Sequence, residues 1–277
     1  MSRNFNQLIK TKWAEKKFLC IGLDSDRNRL PSYVQGMASP ASRIVIFNRA
    51  IVRATKDLVC AYKPNIAFYS WGLDGLKALE ETIAMIHAEA PDVPVILDAK
   101  RGDIDSTNNA YADEVFEWFK ADATTISPYL GMAANEPFLR FPNKGIFVLC
   151  RTSNASAPEF QGSPEQEMQA PLFLTVADRV SRFWNTACNC GLVVGATYPE
   201  ELRRVRQAAP CLPLLIPGVG TQGGDLEKTV FAARDCLGGG MIINASRSVI
   251  FASPNEDFTD AARAAAMHQH QQIRACL

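Results

Sequence analysis

Residues 93–103 read Val-Pro-Val-Ile-Leu-Asp-Ala-Lys-Arg-Gly-Asp, an apolar run that ends in a charged DxKxxD pattern. The apolar part predicts a buried strand, because strands covered on both faces are hydrophobic along their whole length. Residues two apart in an extended strand share a face, so Asp98 and Lys100 are expected to point the same way and form a charge pair. The stretch therefore predicts a buried strand with opposite charges at its end.

The residues after this strand predict a turn followed by a helix. Gly102 allows the chain to turn, and Asp103 brings a second carboxylate back to the same end. A helical pattern opens near Ser106 or Thr107. A surface ion pair with a capping acid would also fit so short a pattern. Its meaning therefore depends on the rest of the chain.

Short apolar runs alternate with amphipathic helical patterns along the whole chain. The eight runs are residues 18–24, 59–63, 95–100, 123–127, 145–151, 191–197, 214–220 and 240–246. This alternation predicts one (β/α)8 TIM barrel, a single domain over residues 1–277. A doubly wound sheet is the alternative, but it would usually have a glycine-rich turn after its first strand, and residues 22–25 are Gly-Leu-Asp-Ser.

Composition narrows the class of partner. The chain has 277 residues, with 29 basic and 29 acidic side chains and no basic block, which argues against nucleic acid or an anionic membrane as the main partner. A small solute is the expected ligand. The N-terminus lacks an apolar signal segment, and no stretch reaches the ~18 apolar residues of a membrane span. We expect a cytoplasmic protein.

The eight cysteines do not indicate a metal site. Cys20, Cys60 and Cys150 lie in apolar runs, where a free thiol behaves as a small hydrophobic group. One residue lies between Cys188 and Cys190, whereas zinc ligands usually have two to four residues between them. We therefore predict no bound metal.

Polar residues cluster at the carboxyl ends of the predicted strands, where barrel enzymes assemble their sites. They are Asp24, Lys63, Asp98, Lys100, Ser127, Ser153, Gln222 and Arg247. Lys63 closes the second strand and could merely extend to solvent at the rim. If it faces Asp98 and Lys100 across the barrel mouth, it completes an alternating array of ammonium and carboxylate groups, which suits a reaction that moves charge.

The loops after the last two strands predict a phosphate site. Residues 217–225 contain four glycines, among them Gly220, that allow the backbone to approach an anion, and Arg247 follows the eighth strand. Loops at these two positions frequently bind phosphate in barrels of this kind. A phosphorylated substrate is therefore expected.

Taken with Thr107, residues 98–104 resemble the signature of the orotidine 5′-phosphate decarboxylases, particularly their longer bacterial subfamily. The similarity runs from residues 22–24 through 62–65 and 127–131 to Arg247. It implies a homodimeric barrel that converts orotidine 5′-monophosphate to UMP and carbon dioxide, the last step of pyrimidine nucleotide synthesis, without a cofactor.

The resemblance also implies roles for the charged residues. Lys100 would be the proton donor in an array with Lys63, Asp98 and Asp103, and Asp98 would lie against the substrate carboxylate. Asp103 and Thr107 would come from the neighbouring subunit and touch the ribose.

The remaining positions would bind the substrate. Asp24, together with Lys63, would contact the ribose hydroxyls, and Ser153 would recognise the pyrimidine edge. Gln222 and Arg247 would hold the phosphate, and the loop after the seventh strand would close as a lid.

Three other functions stay open on the sequence. A sugar-phosphate decarboxylase of the same superfamily shares DxKxxD but resembles a magnesium enzyme with a glutamate after the second strand, where this chain has Lys63, and a cation there repels Mg²⁺. A Schiff-base aldolase could use Lys63 or Lys100. A non-catalytic phosphate-binding barrel would leave the predicted charge array without a purpose, since desolvating ions is costly.

Overall fold

The computed structural model describes residues 3–36, 39–162, 170–219 and 225–277. Within these ranges eight parallel strands form one sheet. The strands are β1 (Leu19–Leu23), β2 (Val59–Pro64), β3 (Ile96–Arg101), β4 (Ala123–Ile126), β5 (Gly145–Arg151), β6 (Cys190–Val194), β7 (Leu214–Pro217) and β8 (Met241–Ala245). Each coincides, to within a few residues, with one of the predicted apolar runs.

The strand order closes the sheet into a barrel. It runs β2-β1-β8-β7-β6-β5-β4-β3, so sequence neighbours are spatial neighbours throughout. The two outer strands meet through isolated bridges between Tyr62 and Val95 and between Asn65 and Asp98. A doubly wound sheet would leave two free edges, so the (β/α)8 barrel is confirmed and the alternative is wrong.

Helices connect the strands and surround the barrel. They are α1 (Phe5–Ala14), α2 (Ser32–Gln35), α3 (Pro40–Thr55), α4 (Leu73–Glu89), α5 (Asp105–Asp113), α6 (Gly131–Leu139), α7 (Pro158–Gln161), α8 (Leu172–Arg179), α9 (Pro199–Ala208), α10 (Leu226–Ala233), α11 (Arg247–Ile250) and α12 (Phe258–Ala275). A 3₁₀ turn covers Ile66–Phe68, and π-helical turns extend α5 and α8 over Glu114–Trp118 and Val180–Trp184. None of the helices in the described ranges is long and apolar enough to cross a membrane.

The start of α5 differs from the prediction. The helix begins at Asp105, rather than near Ser106 or Thr107, and Ile104 takes the N-cap position without a side-chain cap. The backbone preceding the helix is held by Asn108, whose amide accepts from the Asp103 N–H and donates to the Asp103 carbonyl. A side chain from inside the helix thus fixes the turn that leads into it.

Apolar side chains fill both the barrel interior and the layer between strands and helices. The interior cluster contains Cys20 and Cys60, and burial raises the pKa of the Cys20 thiol to about 12, so both behave as the packing groups the sequence predicted. The outer cluster buries the inward faces of helices such as α3 and α4 against the strands. Both layers orient the strands so that their carboxyl ends share one end of the barrel.

Helix α1 closes the other end of the barrel. The Asn4 side chain accepts the N–H of Gln7 and so begins the helix. Phe5 and Ile9 enter the interior cluster, and the Phe5 ring meets the Phe147 ring edge-on, with centroids 5.6 Å apart. Because α1 closes this end, a ligand can reach the polar side chains of the barrel from the end that holds the carboxyl termini of the strands.

Candidate active site

One carboxylate bridges two ammonium groups at the carboxyl-terminal end of the barrel. The Nζ of Lys63, from β2, lies 3.0 Å from Oδ2 of Asp98, and the Nζ of Lys100 lies 2.7 Å from Oδ1. The structure thus brings together three members of the predicted array, with one ammonium group on each carboxylate oxygen.

The cluster is buried on one side and open on the other. Lys63 and Asp98 are 4% and 8% exposed, whereas the Lys100 side chain is 49% exposed. Lys100 is therefore the member of the cluster that is most accessible to a ligand, whereas Lys63 and Asp98 are buried beneath the surface.

Mutual attraction keeps the buried pair charged. Burial alone would raise the pKa of Asp98, but the positive charges of Lys63 and Lys100 outweigh it and hold that pKa below its ordinary value. Burial likewise favours the neutral form of Lys63, yet the attraction of Asp98 and then of Asp24 raises its pKa. Lys63 and Asp98 therefore present fixed charges at neutral pH.

The backbone at Lys100 is not the extended strand assumed in the sequence analysis. Its φ is 47°, in the left-handed region that non-glycine residues rarely adopt. Gly102 is not left-handed; it is a glycine because a Cβ there would lie 2.7 Å from the Cβ of Ser127. The pairing of Asp98 with Lys100 was thus predicted correctly, but for the wrong geometric reason.

Asp103 and Thr107 follow β3 along the chain but form no hydrogen bond or ion pair with the described residues of the cluster. Asp103 forms no ion pair with any described residue, and its Oδ1 accepts the N–H of Ile104 at 2.7 Å. Asn108 fixes the Asp103 backbone and also donates to the carbonyl of Ala134 at the neighbouring helix α6. Thr107 sits half-buried in the first turn of α5. Within one chain, therefore, the fourth predicted member stays apart from the other three.

Asp24 and Ser153 stand at the ends of β1 and β5. Oδ1 of Asp24 is buried and has no hydrogen-bond partner among the described residues. Ser153 packs so closely on Gly195 that a Cβ on the glycine would lie 2.8 Å from that of Ser153. An unpaired buried acceptor is costly, so the Asp24 oxygen is suited to accept a hydrogen bond from a ligand hydroxyl.

The predicted phosphate end is described only in part. Arg247 begins the short helix α11 and is exposed, and its side chain makes no hydrogen bond or ion pair with the residues the structure describes. Nearby, the Ser246 hydroxyl donates to the carbonyl of Gly22 and ties β8 to β1. Gln222 and Gly220 lie outside the described residues.

Thr125, in β4, contacts the cluster and was not singled out in the sequence. Its hydroxyl donates to Oδ1 of Asp98 and accepts the N–H of Lys100, each at 2.9 Å. The sequence did not distinguish Thr125 from its neighbour, because residues 123–127 read Ala-Thr-Thr-Ile-Ser and Thr124 stands beside it. Across the described ranges, no group of three or more His, Cys, Asp or Glu side chains could hold a metal ion.

A parallel eight-stranded barrel with its charged cluster at the carboxyl ends of the strands defines a (β/α)8-barrel enzyme. The model of the Orotidine 5'-phosphate decarboxylase / HUMPS family matches residues 17–263. The chain therefore belongs to this family. Relatives named orotidine 5'-phosphate decarboxylase cover nearly all of it and show that it is a carboxy-lyase.

Individual relatives agree over nearly the whole chain. Orotidine 5'-phosphate decarboxylase of Ralstonia nicotianae is 48% identical over 273 residues, which cover 97% of each protein. The Thermomicrobium roseum protein of the same name is 51% identical over 94% of this chain and 91% of its own length. The solved structure of Leishmania donovani OMP decarboxylase is 38% identical with a TM-score of 0.84, covering 99% of this chain and 98% of that one.

Proposed function

We propose that this enzyme decarboxylates orotidine 5′-monophosphate to UMP and carbon dioxide, the final step of de novo pyrimidine nucleotide synthesis, without a cofactor. The similarity to proteins named orotidine 5′-phosphate decarboxylase supports the choice of substrate. The observation that carries the chemistry is the Asp98 carboxylate between the buried ammonium of Lys63 and the open ammonium of Lys100.

Lys100 is the proton donor in this proposal. The bond between C6 of the pyrimidine and its carboxyl carbon breaks, and the electron pair stays on C6. The Lys100 ammonium stabilises that developing charge and transfers a proton to C6, which gives UMP and a neutral amine. Because the side chain is half-exposed, the amine can regain its proton from water. Because the electron pair stays on C6 and is protonated there, the step needs no electron sink.

Asp98 and Lys63 prepare the site for this step. A permanently ionised Asp98 beside the substrate carboxylate disfavours the ground state and the release of carbon dioxide relieves the repulsion. Lys63 holds Asp98 in its charged form, since it supplies the largest attraction that lowers the pKa of that carboxyl. The pair therefore acts on the carboxylate that leaves, while Lys100 acts on the carbon that remains.

The rest of the substrate is bound by residues around the barrel mouth. Asp24 accepts from a ribose hydroxyl, and Ser153 binds the pyrimidine edge. Arg247, with Gln222 and the backbone at Gly220, binds the phosphate. The unpaired Asp24 oxygen and the unpaired Arg247 side chain support this arrangement within the described part of the chain. Phosphate binding lies far from C6 and serves catalysis if it holds a lid closed over the charges.

The active site is shared between two subunits of a homodimer, with Asp103 and Thr107 completing the partner's site. Asn108 holds the Asp103 backbone rigidly, while the carboxylate remains outside the Asp98 network of its own chain. Large apolar side chains are exposed on the two segments that meet where Gly102 packs on Ser127, with Ile104 54% and Tyr129 86% exposed. An exposed apolar surface next to an unused carboxylate is what an interface between subunits would cover.

The test is a spectrophotometric assay with orotidine 5′-monophosphate before and after exhaustive chelation. We expect conversion to UMP at the same rate in both samples. Lack of conversion would exclude the substrate. Activity that disappears in EDTA and returns with Mg²⁺ would contradict cofactor independence, and borohydride trapping of a ketose phosphate on the protein would indicate a Schiff-base aldolase instead.

A further inference from the structure

The β3–β4 pairing is interrupted beside the charged cluster. Leu97 pairs with Thr124 and Arg101 pairs with Ile126, so four steps along β3 match only two along β4. Asp98, Ala99 and Lys100 therefore face Thr125 alone, and the regular ladder of backbone hydrogen bonds does not continue through them. A bulge of this kind redirects side chains and often occurs next to active sites.

Thr125 fills this interruption with its side chain. The N–H of Lys100 donates to the Thr125 hydroxyl oxygen at 2.9 Å, in place of a ladder carbonyl. The same hydroxyl donates to Oδ1 of Asp98 at 2.9 Å, and that oxygen also accepts from the Lys100 ammonium at 2.7 Å. The three residues thus form a closed ring of hydrogen bonds.

The chemistry of the groups fixes which atom donates and which accepts in each of these hydrogen bonds. An ionised carboxylate can only accept and a backbone N–H can only donate, so the Thr125 hydroxyl donates a hydrogen bond to Asp98 and accepts one from the Lys100 N–H. The adjacent Thr124 differs, because its hydroxyl donates to the carbonyl of Leu97 and touches none of the three charges. The two threonines are both buried in the same strand, which makes Thr124 a matched control.

We propose that Thr125 is a positioning residue that holds the left-handed backbone of Lys100. It aims the Lys100 ammonium at the reacting carbon and the Asp98 carboxylate at the carboxylate that leaves. This inference rests on the proposed decarboxylation. A residue with φ of 47° persists only where its surroundings hold it, and the Thr125 hydroxyl is the group that binds its N–H. Without it Lys100 can return to an extended backbone and its ammonium shifts relative to Asp98.

The test compares Thr125→Val, which removes the hydroxyl at nearly constant shape, with Thr125→Ser and with Thr124→Val. For Thr125→Val we expect kcat to fall about 10- to 100-fold, the loss typical of an ångström-scale misplacement. The KM and the dissociation constant of UMP should change less than about threefold, because ribose and phosphate contacts are intact. Thr125→Ser should have most of the wild-type kcat, because it keeps the hydroxyl. Thr124→Val should keep kcat within about twofold of wild type, although its thermal stability should fall about as much as that of Thr125→Val.

Each outcome decides between distinct possibilities. Wild-type protein that does not convert orotidine 5′-monophosphate would exclude the proposed function itself. Active wild type with normal kcat in Thr125→Val, or with equal losses in Thr125→Val and Thr124→Val, would overturn the positioning role alone. If Thr125→Val does not fold, Thr125→Ala replaces it, and failure of both to fold would show that Thr125 serves the fold and not the alignment of Lys100.

Discussion

At the scale of single residues, Lys100 combines a half-exposed ammonium with a left-handed backbone. We expect Lys100→Ala to lower kcat by about 10²–10⁴, the usual contribution of a positioned proton donor, and to leave a folded protein because the side chain lies outside the apolar clusters. Turnover and thermal melting measure the two effects.

Lys120→Ala is the matched control for this substitution. Lys120 also has a left-handed backbone, with φ of 57°, and pairs with Glu117 at the surface. It should keep full turnover, since surface pairs contribute little and no charged group of the site lies on that loop. Lys100→Ala with more than about a tenth of wild-type turnover would remove Lys100 from the donor role.

Arg247 is expected to distinguish phosphorylated from unphosphorylated substrate. Arg247→Ala should raise the KM for orotidine 5′-monophosphate about 10- to 100-fold, because a charge-assisted bond to phosphate is lost. The kcat/KM for the bare nucleoside should change less than about twofold, since it offers the arginine no partner. Arg203→Ala, which removes a surface arginine paired with Glu200, is the control. Equal damage to both substrates would mean that Arg247 is structural.

The contacts of Asp98 and Lys100 were predictable from the sequence only in part. Asp98 and Lys100 were predicted as a pair from their spacing, but the left-handed backbone that joins them follows from the bulge opposite Thr125. Strand register depends on packing of both neighbours, so one strand's pattern cannot reveal it. Thr125 was therefore missed although it lies in a correctly predicted strand.

At the scale of elements, α1 closes the barrel end remote from the site. Phe5→Ala should lower the free energy of unfolding by about 3–5 kcal/mol, because it empties part of the interior cluster against Phe147. The kcat of the folded enzyme should not change, since the charges lie at the opposite end. Urea unfolding and steady-state kinetics measure both. Phe231→Ala on the outside of α10, a half-exposed phenylalanine, should change stability by less than about 0.5 kcal/mol. A loss of kcat in Phe5→Ala would show that the two ends are coupled.

Asp122 joins the start of β4 to the N-terminal segment and to α4. It accepts two hydrogen bonds from the Arg3 guanidinium at 2.8 and 2.9 Å and lies 3.2 Å from His87. Burial would raise its pKa, but His87 and Arg3 lower it to about 2. A carboxyl whose pKa is lowered in the folded state stabilises the fold at pH values above its ordinary pKa. That stabilisation is lost as the pH falls from the ordinary pKa through about 2.

The pH dependence of unfolding tests this tie. Above pH 5 the lowered pKa of Asp122 corresponds to about 2 kcal/mol in the free energy of unfolding. The difference in that free energy between wild type and Asp122→Asn should be about 1 kcal/mol smaller at pH 3 than at pH 6. Urea titrations at the two pH values measure it, with Glu256→Gln at an exposed carboxylate as the control. An advantage that stays constant between pH 6 and pH 3 would contradict the assigned role of Asp122.

Element positions were predictable where they depend on local pattern and less so where they depend on distant contacts. All eight strands fall on the apolar runs, because burial on both faces leaves a continuous signal. Helix α5 begins one residue before Ser106, and the turn before it is fixed by Asn108 from inside the helix, a contact that local pattern does not indicate. No sequence pattern had indicated that α1 would plug the barrel, since that depends on the space beside Phe147 and Gly145.

At the scale of the whole molecule, the single chain joins three of the four charged residues that were predicted to form the array. Lys63, Asp98 and Lys100 are joined, whereas Asp103 is held apart by the turn that enters α5. A chain cannot reveal by itself which residues serve a neighbour, so the assignment of Asp103 to the partner's site needs a test that separates the two chains.

Mixed dimers provide that test. If each site takes Lys100 from one chain and Asp103 from the other, Lys100→Ala and Asp103→Asn homodimers are both inactive, yet a mixed dimer has one intact site. Unfolding and refolding an equal mixture makes about half of the dimers mixed, so activity should recover to about a quarter of wild type at equal protein. A mixture of Lys100→Ala with Lys63→Ala is the control, because both lesions belong to the same chain's cluster and every site stays damaged. Mixed dimers confirmed by mass spectrometry without recovered activity would place Asp103 in the site of its own chain.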